Sequence, residues 1–297
     1  MSTPTYCSLL AAAAREPLAG TASHGRGCIV VAYPKRLWGP NVLSAEGLPV
    51  ALVDALVDAQ ERFDVVTRFV AGDSAERTEI TFYPAAVRFS DVPIEAAADV
   101  VTGYVSGSLT RGELVTRPML LTCTHGQRDR CCARFGLALM DAMRACENVG
   151  AIDVREASHL GGDRFAPTVM ILPSGHVYGH LTPEDAPLLI EAARGGAPLL
   201  ARFRGSFWRD VRAQLADVAA FGLSREGEAP PTLSSIDVTE LDDTHSELSF
   251  RASWADRSQA VRVRCVREHR RVYGDCRAAD AKRTGGLDAW RIENVST

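Results

Sequence analysis

Between positions 123 and 163 the chain places Cys123, His125, Cys131, Cys132, His159 and Asp163. Thiolates and imidazoles bind zinc and iron, and thiolates are the usual ligands of iron–sulfur clusters, where histidine can replace cysteine on one iron and raise the reduction potential. Cys123 and Cys132 stand nine positions apart and bracket a loop with Gly126, Arg128, Asp129 and Arg130. A cationic loop would lower thiolate pKa and balance the negative charge of a cluster. His159 adds an imidazole from a second loop. Gly161 and Gly162, lacking Cβ atoms, would let the backbone approach a bulky inorganic core. The spacing supports a metal or redox site without choosing iron over zinc.

Regular elements must carry these residues. The apolar run Met119–Leu121 predicts a strand leading into the first loop. Phe135, Leu139, Met143 and Cys146 recur at helical intervals and predict an amphipathic helix over 133–146. A strand follows at 152–157, then a hairpin of 168–172 with 177–181. Thr182-Pro-Glu-Asp provides a cap, a first-turn proline and an acidic third residue, predicting a helix to Arg194. A further helix is predicted over 206–221. Upstream, the pattern predicts a short helix at 8–15, a buried strand at 28–33, a helix from Pro49, strands at 64–70, 78–83 and 86–89, and a helix at 94–105. Beyond Gly222 a linker-like stretch with two prolines gives way to alternating strands without a helix signal.

The 297 residues are long for one domain, with 46% hydrophobic and 24% charged residues and a net charge of −4. These values fit a globular protein and argue against a general nucleic-acid binder. No apolar run approaches the roughly 18 residues of a membrane span. The N-terminal LLAAAA segment has no positive charge ahead of it, unlike a secretory signal, so a cytoplasmic location is expected. Clustered cysteines there more often bind metal or do redox work than form disulfides. The scattered Cys7, Cys28, Cys146, Cys265 and Cys276 read as structural thiols.

The two halves echo one another. Ala51-Leu-Val-Asp-Ala-Leu56 matches Ala138-Leu-Met-Asp-Ala-Met143, and Phe69-Val-Ala-Gly-Asp73 matches His159-Leu-Gly-Gly-Asp163. An apolar strand ending in proline, Pro84 or Pro173, follows each of the second pair. A tandem duplication accounts for this, with a first copy that has lost the ligands. On that alignment Phe69 stands in for His159, and the survival of Asp73 in a copy without ligands makes Asp163 a possible turn residue.

HGQRDRCC after Cys-Thr, SHLGGDRFAPT and ILPSGHVYG resemble segments of the sucrase/ferredoxin-like family, as do EPLAGTA, the Trp38-Gly39 pair and FRGSFW. These are thioredoxin-like proteins related to thioredoxin-like 2Fe–2S ferredoxins, and the resemblance runs over about residues 7–222. Together with the repeat and the alternating pattern after Gly222, it implies an α/β fold of two thioredoxin-like lobes, 1–115 and 116–222, followed by a small β-rich C-terminal extension, 223–297. It also implies a 2Fe–2S cluster held by two cysteines nine apart and two histidines in a His-x-Gly-Gly-His loop. Carried over, these positions are Cys123, Cys132, His159 and Asp163. The last departs from the family pattern, and Cys131, His125, His176 and His180 remain alternatives for it.

The function so implied is one-electron transfer with a redox partner protein, rather than stand-alone catalysis, and without nucleic acid or membrane. A thioredoxin-like thiol enzyme using Cys131 or Cys132 is the first alternative, although Cys-x-x-Cys is missing. A zinc-binding or metal-free module is the second. By residue type alone, His125 reads as a loop hydrogen-bonding residue, His176 and His180 as surface residues of a strand, and Trp38 and Trp208 as packing residues.

Overall fold

The computed structural model describes residues 5–146, 149–225 and 227–297. After a short helix, α1 (Cys7–Ala13), the first half runs β1 (Gly27–Tyr33), α2 (Val50–Phe63), β2 (Val65–Ala71), β3 (Arg77–Tyr83), β4 (Val87–Pro93), α3 (Ala97–Val105) and β5 (Glu113–Leu114). The second half runs β6 (Met119–Cys123), α4 (Arg130–Arg144), β7 (Asp153–Ala157), β8 (Val169–Leu172), β9 (His176–Tyr178), α5 (Ala186–Ala193), β10 (Phe203–Ser206) and α6 (Val211–Phe221). Then come β11 (Thr232–Leu233), β12 (Asp237–Glu240), β13 (His245–Ser253), β14 (Ser258–Val272), α7 (Cys276–Asp280) and β15 (Gly285–Ser296).

The chain is a mixed α/β protein. Strands of both halves join one sheet in the order β10-β9-β8-β6-β7-β2-β1-β3-β4-β5. In each half the first strand pairs parallel with the second and antiparallel with the third. The halves meet where β2 and β7 pair at Val70 and Ala157. Fixing equivalences by these registers, with the hairpin prolines Pro84 and Pro173 aligned, makes Val70 and Ala157 counterparts of each other. Ala86 and Gly175, one in each hairpin turn, both have positive φ.

The same register shifts the second of the two residue matches drawn from sequence, while the helix match of Ala51 with Ala138 keeps the offset of Val66 to Asp153. Cys28 pairs with Tyr83 and Met119 with Leu172, so Ala32 is the counterpart of Cys123. Cys28 also pairs with Val66 and Met119 with Asp153, which places Gly72, not Phe69, at the position of His159. Asp73 is then no counterpart of Asp163, and the argument that made Asp163 a turn residue falls away. Short motifs in an alanine-rich chain align by composition, whereas strand register aligns by hydrogen bonding.

Side chains alternate across the sheet. Cys28 and Val30 of β1, Val70 of β2 and Met119, Leu121 and Cys123 of β6 share one face and one apolar cluster. On the opposite face Ile29 and Val31 pack under α2 and α3, and Leu120 packs under α4 and α5. Every residue of β6 is buried.

The C-terminal segment forms a separate antiparallel sheet, with β13, β14 and β15 side by side and β11 and β12 pairing successive parts of β13. Leu215, Ala216, Ala219 and Ala220 of α6 pack against it. Two sequence expectations need correction here. Helix α6 starts at Val211 after the Asp210 cap, because Phe203–Ser206 adds the edge strand β10 to the large sheet. The extension also contains a helix, α7, capped by Asp275 in the connection between β14 and β15. Among the described residues no helix is long and apolar enough to cross a membrane.

Candidate metal centre

β6 ends at Cys123, and α4 begins seven residues later after Asp129, whose side chain accepts the Cys131 N–H at 2.7 Å. The helix lies close over the strand end. A Cβ on Gly136 would overlap the Cys123 carbonyl oxygen, so glycine is required for this approach. Cys132 is thereby brought against Cys123. The loop after β7 supplies His159, and Gly161 and Gly162 turn it with φ of +91° and +76° to present Asp163. A Cβ on Gly162 would overlap the buried Arg204 guanidinium. The four positions named from sequence therefore converge at the C-terminal ends of the parallel strands β6 and β7, where open α/β sheets commonly bind ligands.

Cys123, Cys132 and Asp163 are 1–4% exposed, while the His159 side chain is 25% exposed and forms the outer wall. The Cys132 thiol donates to Asp163 Oδ1 at 3.6 Å, and Arg128 Nε lies 3.4 Å from Asp163 Oδ2. His159 Nδ1 sits 2.9 Å from Asp163 Oδ1 without hydrogen-bond alignment and is left without a partner. Cys132 also donates to Cys123, and this, against the opposing effect of burial, holds the Cys123 thiol below its ordinary range. Backbone N–H groups of His125 and Leu160 add to the effect. Donation to Cys123, followed by burial, pushes Cys132 well up. Burial would raise the Asp163 carboxyl, but His159, Arg128 and Cys132 more than offset it and hold it low. The cationic loop thus acts mainly through Arg128 on Asp163; Arg130 turns away to Asp280, at 2.5 and 2.6 Å.

Two arginines are buried nearby. Arg204 donates to Thr21 Oγ1 at 3.1 Å and to the Gly161 carbonyl at 2.9 Å, and burial lowers its pKa to about 9 while Asp163 and Cys132 oppose the shift. Arg68 donates to the Thr67 carbonyl at 3.2 Å; burial lowers its pKa, and Cys28 and Cys123 oppose. Neither forms an ion pair with a carboxylate among the described residues.

Of the alternatives for the fourth position, His125 borders the site and keeps a buried Nδ1 without a partner. His125 Nε2 bonds to the Gly39 carbonyl at 2.8 Å and packs edge-on against Trp38, as its reading as a loop residue anticipated. His176 is half-buried beside Phe203 and Phe221, and His180 is half-buried against Phe165, so neither is a freely exposed strand residue. Trp38 is buried and donates to the Tyr33 carbonyl at 3.0 Å, whereas Trp208 caps the Gly175 turn and donates to the Pro173 carbonyl at 2.9 Å.

Cys131 belongs to a second constellation, with Cys7, Asp129 and Cys276. Its Sγ lies 3.2 Å from Cys276 Sγ and 3.7 Å from Cys7 Sγ, and the Cys7 and Cys276 sulfurs are 3.6 Å apart. Thiol donation from Cys276 and then Cys7 lowers the Cys131 pKa to about 4, against burial. Burial raises the Asp129 carboxyl to about 6. Hydrogen bonding with Cys131 and then Cys276, together with burial, pushes Cys7 far up. Sequence reading took Cys7 and Cys276 for scattered structural thiols; the structure brings both beside Cys131. No local spacing joins residues 7 and 276; the only sequence signal was the odd number of cysteines in the central loop. All eight cysteines are unbridged.

Fold and site together define an α/β protein with a buried thiol, imidazole and carboxylate constellation at parallel strand ends. The sequence profile of the sucrase/ferredoxin-like family matches residues 18–205, more than half of the chain, and the chain belongs to that family. Among curated proteins it is similar to altered inheritance of mitochondria protein 32 of Eremothecium gossypii, 27% identical over 113 residues, covering 34% of this chain and 36% of that protein. Its namesake from Debaryomyces hansenii is 30% identical over 99 residues, covering 31% and 36%. The chain thus spans about a third of the length of these curated relatives. Among solved structures, a thioredoxin-like [2Fe-2S] ferredoxin from Aquifex aeolicus is 18% identical and covers 31% of this chain and 94% of its own, with a TM-score of 0.27. A second structure of the wild-type Aquifex protein covers 30% and 97%, with the same identity and TM-score.

Proposed function

We propose that this chain is a one-electron carrier in which Cys123, Cys132, His159 and Asp163 hold a 2Fe–2S cluster. The observation that carries the reading is the convergence of these four donors, with His159 Nδ1 unpartnered beside Asp163, next to two buried arginines that lack carboxylate partners. An unpaired buried cation is costly, and an anionic group between Arg68 and Arg204 would offset that cost. The donor set suits iron: two thiolates, an imidazole and a carboxylate, the last being the hardest of the four. The family's ferredoxin-like name points the same way.

When bound, the cluster supplies reversible one-electron redox chemistry. The protein's residues determine the rest. Cys123 and Cys132 must give up their thiol protons on loading, because thiolates are the ligands. Arg128 keeps Asp163 ionised and aimed inward. Gly161 and Gly162 let the loop turn without Cβ atoms in the approach. His159, alone of the four in reaching solvent, marks the side on which a redox partner protein would dock. Histidine in the set places the expected potential above the all-cysteine range.

The shared pairing pattern of the halves fits two thioredoxin-like lobes from an internal duplication, 1–115 and 116–222, with 223–297 as an appended sheet. The first lobe would then be a scaffold. Unbridged thiols suit a reducing compartment such as the cytoplasm.

Protein purified anaerobically with iron supplied should be red-brown and contain acid-labile sulfide. Reduction should give a rhombic electron spin resonance signal. A colourless product lacking sulfide would sink the reading.

A further inference from the structure

Cys7, Asp129, Cys131 and Cys276 form an enclosed donor set, each 0–3% exposed, whose ligand atoms all lie within 4.8 Å of one another. We propose that these four residues are a second, structural metal site that takes zinc in tetrahedral coordination. It shares no ligand with the Cys123 site and does not depend on what that site holds.

Geometry carries the assignment. Zinc–sulfur bonds of about 2.3 Å set sulfur–sulfur edges of about 3.8 Å in a tetrahedron, and a shorter zinc–oxygen bond sets sulfur–oxygen edges of about 3.5 Å. The observed sulfur–sulfur separations are 3.2, 3.6 and 3.7 Å. Asp129 Oδ1 lies 3.2 Å from the Cys276 sulfur and 4.0 Å from that of Cys7. The edges are near those of a tetrahedron and far from the roughly 2.05 Å of a disulfide. Three thiols and a carboxylate fill all four positions from within the protein, as in closed structural zinc sites.

The surroundings match what metal ligands require. Outer hydrogen bonds orient ligating groups and tune their basicity. Here Asp129 accepts the N–H groups of Cys131 and Cys276, both at 2.7 Å, which fixes its carboxylate. Ser8 Oγ donates to the Cys131 sulfur at 3.2 Å, and the Cys7 N–H donates to the Cys276 sulfur at 3.5 Å. No lysine or arginine forms an ion pair with Asp129 among the described residues, so a cation between these groups would satisfy a buried carboxylate.

The site would join distant parts of the chain. Cys7 comes from α1, Asp129 and Cys131 from the start of α4, and Cys276 from α7 at the tip of the β14–β15 ribbon. Other contacts run between the same segments. Arg130 reaches Asp280 of α7 and the Thr5 carbonyl, and Arg277 donates to the Gln127 carbonyl at 3.3 Å. Zinc here would hold the N-terminal helix and the C-terminal ribbon to the end of the sheet that carries Cys123.

The test is metal analysis of the full chain, with and without Cys123→Ser and Cys132→Ser, which clear the other thiols. Both proteins, kept reduced, should retain one zinc per chain. Adding Cys7→Ser or Cys276→Ser to the double variant should remove most of it. Cobalt exchanged into the double variant should show the intense visible bands of tetrahedral cobalt and sulfur-to-metal charge transfer. Zinc-edge X-ray absorption on the wild-type chain, which needs no substitution, should find three sulfurs and one oxygen. Two sulfurs with an imidazole would put the zinc at the Cys123 site and overturn the proposal. So would a folded, reduced double variant that takes up neither metal, full zinc retention without Cys7 or Cys276, or a Cys131–Cys276 disulfide in place of the metal.

Discussion

Cys131 and Cys132 are consecutive residues of α4, yet their sulfurs belong to different constellations. Cys131 Sγ lies 3.2 Å from Cys276 Sγ, and Cys132 Sγ lies 3.6 Å from Asp163 Oδ1. One residue of α-helix turns the side chain by about 100°, enough to send neighbours to two sides of a helix start. The first turn of α4 is therefore shared, and anything that fixes Cys131 also fixes the backbone that aims Cys132.

The two cysteines should separate cleanly under substitution. Cys132→Ser should abolish the visible absorption and resonance signal while the C-terminal ribbon stays docked. Cys131→Ser should keep the signal, at lower yield, and loosen α1 and α7. Hydrogen exchange of residues 276–280, read beside the absorption spectrum, checks both halves. Equal loss of colour in the two variants would contradict the division.

Gly136 is the point at which α4 rests on the end of β6. Gly136→Ala would drive a methyl group into the Cys123 carbonyl, and the helix must lift to relieve it. Overpacking of this kind costs about 1–3 kcal/mol, and here it also separates Cys132 from Cys123. The expected result is a lower urea midpoint together with reduced iron and sulfide content. A variant as stable and as fully loaded as the wild type would show that the close approach is dispensable.

Much of this arrangement was legible in the sequence because it is local. Met119–Leu121 announced β6, the Phe135-to-Cys146 spacing announced α4, and the two loops carrying Cys123, Cys132, His159 and Asp163 follow directly from them. The second constellation was not legible, because α1 and α7 reach Cys131 only through tertiary packing. Arg204 was hidden for a similar reason: the sequence pattern assigns no element just ahead of Ser206, whereas β10 is a sheet edge that brings the guanidinium to the Gly161 carbonyl. Motif matching also misplaced the segment Phe69–Asp73, since Gly72, which the register sets at the position of His159, carries no side chain to compare.

Arg204 offers a test of the charge balance around the Cys123 site. Arg204→Met removes a buried positive charge that Asp163 and Cys132 both act on. Gaining an electron adds negative charge, so losing the cation should lower the reduction potential. At an effective dielectric near 20, a charge several ångströms away is worth on the order of 1–2 kcal/mol, which is roughly 40–90 mV for one electron. Potentiometric titration of the folded variant, with Arg209→Met as a control outside the site, gives the comparison. An unchanged or raised potential would mean that Arg204 serves only the loop's structure.

His176 and His180 predict an acid-limited stability. Burial lowers His176 to about 4; burial, then the Arg204, Arg202 and Arg164 charges, lower His180 to about 4 as well. In the unfolded chain both rings titrate near the ordinary value of about 6.5. The unfolded state therefore binds more protons below that pH, and stability present at neutral pH is lost as pH falls from about 6.5 towards 4. Both rings are half-buried, which reduces the effect to about 2 kcal/mol each near pH 4.5. His176→Leu, placed between Phe203 and Phe221, should flatten part of this loss, and adding His180→Gln should flatten more. Urea midpoints at about pH 7.5 and 4.5 read the slopes directly. Parallel slopes for the wild type and both variants would assign the acid sensitivity to other groups.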